Sequence, residues 1–184
     1  MTGSLKTGIL VAAAGALALS AGFATYNLVG GPAAILSGPL LSDEADVASL
    51  MMARLPDVNG VETSMADIAG KVIVVNFWAT WCTPCREEIP DFVKLQAEYD
   101  ARGVRFVGIA AERVDKVTAF VRELGINYPI LIGDFAAIEL SRKLGDTAGA
   151  LPFTVVLDQG RKIVHREVGV VKPAKLREIF AKLL

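Results

Sequence analysis

Val72-Ile73-Val74-Val75-Asn76-Phe77-Trp78-Ala79-Thr80-Trp81-Cys82-Thr83-Pro84-Cys85 is the segment that sets the topology and points to the chemistry. Its first seven residues are apolar at almost every position, as in a central strand covered on both faces. Two thiols then stand three positions apart with a proline between them. A buried strand feeding a helix whose first turn carries two cysteines describes a site of thiol–disulfide exchange. These are the only two cysteines among 184 residues. They are too close in sequence to staple distant parts of a fold, so a structural disulfide framework is a poor explanation.

On either side of this segment strands and helices alternate. Leu55 to Thr63 reads as a short hairpin around Asn59-Gly60, and Ser64 to Gly70 as a helical turn. Thr83 to about Ala101 reads as a long helix with Ile89, Phe92, Val93, Leu95 and Gln96 on one side and a kink expected at Pro90. Val104 to Ala111 is a second apolar strand, Val114 to Leu124 a helix, Tyr128 to Ile132 a short strand and Phe135 to Leu144 another helix. Phe153 to Leu157 and Lys162 to Val168 form a hairpin, and Pro173 opens a last helix. The order gives an α/β fold with a mixed central sheet flanked by helices. The domain is expected over 55–184.

The chemistry follows from position. A thiol attacks only as the thiolate. Cys82 would stand at a helix amino terminus, where unpaired N–H groups and the macrodipole favour negative charge. Cys85, one turn on and more buried, is placed to attack a mixed disulfide on Cys82 and release the product. Half of a zinc site is the competing explanation. It needs two further ligands, and the sequence has no third cysteine and only His165, read as a solvent-facing strand residue without a role. No cofactor and no resident metal are expected.

The segment Asn76 to Pro90 resembles the active-site segment of the TlpA-like branch of thioredoxin-fold proteins, which includes the ResA-like and CcmG-like membrane-tethered reductases of cytochrome c maturation. The likeness extends to Gly70-Lys71, to Gly125 through Leu131 and to Leu151-Pro152-Phe153-Thr154, and covers roughly 55–184. It implies a thioredoxin-like fold with an amino-terminal hairpin and a helix–strand insert over 114–132. It implies that Pro152 is a cis-proline packed on the disulfide, where with Leu151 it helps to position substrate. Glu88, six positions after Cys82, matches a glutamate of this branch that accepts protons or tunes the thiols. Its alternative is an ordinary exposed helix carboxylate. Trp81 is expected to shape the surface around Cys82, or simply to pack. Asn76 stands where cytosolic thioredoxin has a buried aspartate. Asparagine accepts no proton, which places more weight on Glu88.

No charged side chain occurs from Thr7 to Ser42. The most apolar part, about Ile9 to Leu28, approaches the roughly 20 residues that span a bilayer as a helix. Residues 1–30 read as a membrane anchor or as a secretory signal peptide. The length favours the anchor, and nothing in the segment is amphipathic, as a buried core helix would be. Residues 31–54 read as linker, with helical character from Asp43 to Arg54. Lys6 precedes the span and Asp43, Glu44 and Asp46 follow it, which orients the domain to the outside. The expected location is a bacterial inner membrane, single-pass, with the domain in the periplasm.

Net charge is −1, from 19 basic and 20 acidic residues without a basic stripe, so nucleic acid is not an expected partner. The resemblance implies a protein disulfide reductase whose clients are apocytochrome c or an oxidase copper-site protein. A membrane thiol reductase of the DsbD or CcdA kind would supply its electrons. A Sco-like copper chaperone is one alternative, since thiolates suit Cu(I), but those relatives pair wider-spaced cysteines with a distant histidine. A peroxiredoxin-type peroxidase needs a threonine and proline before a lone cysteine, which Trp78-Ala79-Thr80-Trp81 does not supply. A non-catalytic thioredoxin-fold binding module is the remaining alternative.

Overall fold

The computed structural model describes the backbone of residues 39–184 and the side chains of residues 43–184. The anchor or signal peptide expected over 1–30 lies outside the described residues. Among the described residues no helix is long and apolar enough to cross a membrane.

A five-stranded sheet is the frame. Its strands are β3 (Val72–Trp78), β4 (Val104–Ala110), β5 (Ile130–Ile132), β6 (Phe153–Leu157) and β7 (Ile163–Val168), in the order β5-β4-β3-β6-β7. β3, β4 and β5 run parallel, while β6 and β7 are antiparallel to their neighbours. Central β3 is buried at every residue, as an apolar run without alternation requires. A small antiparallel hairpin, β1 (Arg54–Pro56) and β2 (Glu62–Ser64), precedes the sheet. Its turn is longer than an Asn-Gly dipeptide closure. The Asp57 carboxylate accepts the N–H groups of Asn59 at 2.8 Å and Val61 at 2.9 Å, and Gly60 takes φ +83°.

Among the described residues five helices flank the sheet: α1 (Pro39–Met51), α2 (Thr83–Tyr99), α3 (Val114–Glu123), α4 (Phe135–Lys143) and α5 (Pro173–Leu183). The pleat sorts them. Val72, Val74 and Trp78 pack with Ile89, Phe92 and Leu95 of α2, Phe120 of α3 and Phe180 of α5. Ile73, Val75 and Phe77 share the opposite core with Leu140 of α4 and with Val47 and Leu50 of α1. Period-2 alternation therefore assigns Asn76 to the α2 face. α2 runs through Pro90 without interruption.

The amino-terminal boundary differs from the expectation. Residues up to 54 read as linker, yet Val47 and Leu50 are buried, and Ser42–Leu184 forms one compact unit. Arg166 holds this end in place, donating to Asp43 at 2.6 Å and to the Leu144 carbonyl at 2.7 Å. Asp43, Glu44 and Asp46 hide the boundary in the sequence, because α1 is polar on its outer side and presents its apolar residues only one turn apart.

Candidate active site

The β3–α2 junction builds the site. β3 ends at Trp78, which stacks on Phe120 with ring centroids 5.6 Å apart. Four residues later Cys82 is the helix N-cap, extended at φ −83° and ψ 104°. Its Sγ accepts the N–H of Cys85 at 3.3 Å, so the sulfur occupies the place of a capping oxygen. Cys82 and Cys85 form a disulfide, with S–S 2.06 Å and Cα atoms 5.3 Å apart. Cys82 is 5% exposed and Cys85 is 0% exposed, which makes Cys82 the outer sulfur. Pro84 falls in the first turn, where a missing N–H costs little.

The other expected site residues gather at the same end of the sheet. The Leu151–Pro152 bond is cis, and Pro152 is buried. Pro152 leads into Phe153, which pairs with Phe77, and its carbonyl accepts the Gly169 N–H at 2.8 Å. Leu151 is half-buried and packs on the core cluster that contains both cysteines. Trp81 is 69% exposed beside Cys82, a surface residue and not a packing one.

Glu88 is not an exposed helix carboxylate. It lies on the buried side of α2, one turn beyond Cys85, and is 2% exposed. Asn76 Nδ2 donates to its Oε1 at 2.7 Å and the Val171 N–H to its Oε2 at 3.2 Å. Burial pushes its carboxyl up to about 7, against the pull of those two donors. Burial first, and then the charge of Glu88, push the Tyr128 hydroxyl up. Asn76 Nδ2 also donates to Thr154 Oγ1 at 3.1 Å, while Asn76 Oδ1 is buried without a partner. Turning the Asn76 amide over would give a protonated Glu88 an acceptor at that oxygen, so the network can serve either protonation state.

Three contributors are not visible in the sequence: Thr154 behind Asn76, the Val171 amide, and Glu112, which binds Thr80 in the loop before Cys82. Each reaches the site across the fold, so no local pattern marks it. His165 is also less open than a solvent-facing residue. Its side chain is 18% exposed and pairs with Glu167 at 3.0 Å. It stands level with Val156, and Val156 with Val74, in mid-sheet and away from the end that carries Cys82.

A sheet-end CxxC disulfide capping a helix, with a cis-proline leading the neighbouring strand, defines a thioredoxin-fold thiol–disulfide oxidoreductase. Known proteins agree. Thiol-disulfide oxidoreductase ResA of Bacillus thuringiensis (strain Al Hakam) is 30% identical over 130 residues, covering 69% of this chain and 72% of that protein. ResA of Bacillus subtilis (strain 168) is 26% identical over 178 residues, 95% of this chain and 89% of that protein. The crystal structure of a thiol:disulfide interchange protein of the thioredoxin family from Chlorobium tepidum TLS superposes with a TM-score of 0.63. It is 34% identical and covers 71% of this chain and 92% of that one. The chain belongs to the redoxin family, whose model matches residues 42–183, and within it to the ResA- and TlpA-like thioredoxin-fold proteins.

Proposed function

We propose that this oxidoreductase works as a reductant of protein disulfides outside the cytoplasm, tethered by residues 1–30, in the assembly of c-type cytochromes or of cytochrome oxidase. One observation carries the reading: the Cys82–Cys85 pair shares a buried helix face with a carboxyl whose proton comes off near neutral pH. The resemblance to ResA-like and CcmG-like reductases supports the client class, and the uncharged segment from Thr7 to Ser42 supports the tether.

The cycle starts from the dithiol. The Cys82 thiolate attacks one sulfur of the client disulfide, and the client's own S–S bond breaks. The departing client sulfur takes a proton from solvent. Cys85 then gives its proton to Glu88 and attacks Cys82 Sγ, and the second client sulfur leaves as a thiolate. Two electrons have passed to the client, and the protein is left with the disulfide seen between Cys82 and Cys85. A membrane dithiol donor of the DsbD or CcdA kind restores the thiols. A carboxyl near 7 suits the second step, because it can take a proton and give it back at ambient pH.

The test is capture in native membranes. Full-length Cys85→Ser should accumulate mixed disulfides through Cys82 with a haem-site CxxCH apocytochrome or a copper-site protein. Capture of neither class, with Cys82 of the variant free and reactive to alkylation, would refute the assignment of clients.

A further inference from the structure

We propose that Glu112 is a positioning residue for Cys82, acting through Thr80. The inference rests on the exchange reading above. The ladder between β3 and β4 ends where the Ala111 N–H meets the Trp78 carbonyl at 2.8 Å. Beyond that point Ala79, Thr80 and Trp81 have only the Cys82 N–H to Ala79 carbonyl turn, at 3.2 Å, to hold their backbone shape. Glu112, the next residue after Ala111, reaches across. Its Oε1 accepts the Thr80 backbone N–H, and its Oε2 accepts the Thr80 hydroxyl at 3.0 Å. One carboxylate thus fixes both the peptide plane and the side chain of a single loop residue, and threonine is stiff at χ1.

This grip matters most when the disulfide is open. In the oxidised state the bond to Cys85 ties Cys82 to the helix. Once the bond is reduced, the sulfur keeps its cap position only while the loop entering the helix holds its shape. Stabilisation of the thiolate by N–H groups and dipole fades within one turn. A loop free to swing would carry Cys82 off the cap and leave more of it protonated at neutral pH. Glu112 and Thr80 are both half-buried and lie 32 residues apart in sequence, so the contact is a tertiary one.

Alkylation of Cys82 in the reduced full chain, in a Cys85→Ser background and across pH, tests the proposal. Glu112→Ala should slow alkylation at pH 7 on the order of fivefold, the worth of one cap interaction, and move the midpoint of the pH profile upward. Glu112→Gln should recover most of the rate, because an amide can accept the N–H and donate to the hydroxyl. Thr80→Val, which keeps the backbone contact alone, should slow it roughly twofold. A wild-type rate and midpoint in Glu112→Ala would overturn the inference. So would a Glu112→Gln variant as slow as Glu112→Ala. If Glu112→Ala does not fold, an unchanged rate and midpoint in Thr80→Val overturns it. A chain with Glu112 intact that forms no mixed disulfide through Cys82 fails the exchange reading instead, which separates the two.

Discussion

Glu88 keeps its proton to about pH 7 in the folded protein, against an ordinary 4.5. Between those values the folded state binds more protons than the unfolded chain, so stability falls as pH rises through the window and levels off above it. The loss is on the order of 3 kcal/mol. Denaturant unfolding of the oxidised protein at pH 5 and pH 8 should show this slope, and Glu88→Gln should flatten it. The same substitution removes a like charge one turn from Cys85. The thiols of reduced Glu88→Gln should therefore titrate lower, while the resolving step slows roughly 10²-fold for want of a proton acceptor. Thiol absorbance against pH and the lifetime of a mixed disulfide measure the two effects. Cys82 and Cys85 were legible from the motif and its spacing, and Glu88 from the family resemblance. The burial that makes Glu88 unusual was not, because it depends on Val171 closing over the carboxylate from 83 residues away.

At the scale of elements, β3, β4 and α2 carry the site, and their positions followed from apolar runs in the sequence. β4 depends on two close fits. Gly108 lies under Trp78, where an added Cβ would come within 2.8 Å of Trp78 Nε1 and 2.5 Å of Ile130 Cδ1. Gly108→Ala should cost about 1–3 kcal/mol by chemical denaturation, and it should alter thiol reactivity because Trp78 leads into the site loop. Gln96 of α2 serves the edge of β4 that β5 leaves open, accepting the Phe106 N–H at 2.7 Å and donating to the Val104 carbonyl at 3.3 Å. Gln96→Ala should cost about 1–3 kcal/mol, since it leaves a buried backbone donor unpaired. Sequence periodicity counted Gln96 among the inward residues of α2. Its partners were out of reach of periodicity, since they belong to another strand's edge.

For the whole molecule, the compact unit starts earlier than the sequence suggested. A chain beginning at Ser42 keeps every residue of the compact unit. One beginning at Leu55 should lose on the order of 3–5 kcal/mol, because it gives up the buried side chains of Val47 and Leu50. The mixed sheet flanked by helices and its closing hairpin were readable from the alternation of elements, while the strand order β5-β4-β3-β6-β7 came only with the structure. The turn at Asp57–Val61 and the docking of α1 were not, because side-chain hydrogen bonds set both.

The account stands on unequal roles for two neighbouring sulfurs. Reduced full-length Cys85→Ser and Cys82→Ser should each be mixed with a protein disulfide substrate at neutral pH and the covalent adduct quantified. Near-stoichiometric adduct with Cys85→Ser and none with Cys82→Ser is the expected result. Equal adduct with both variants, or none with either, would contradict it.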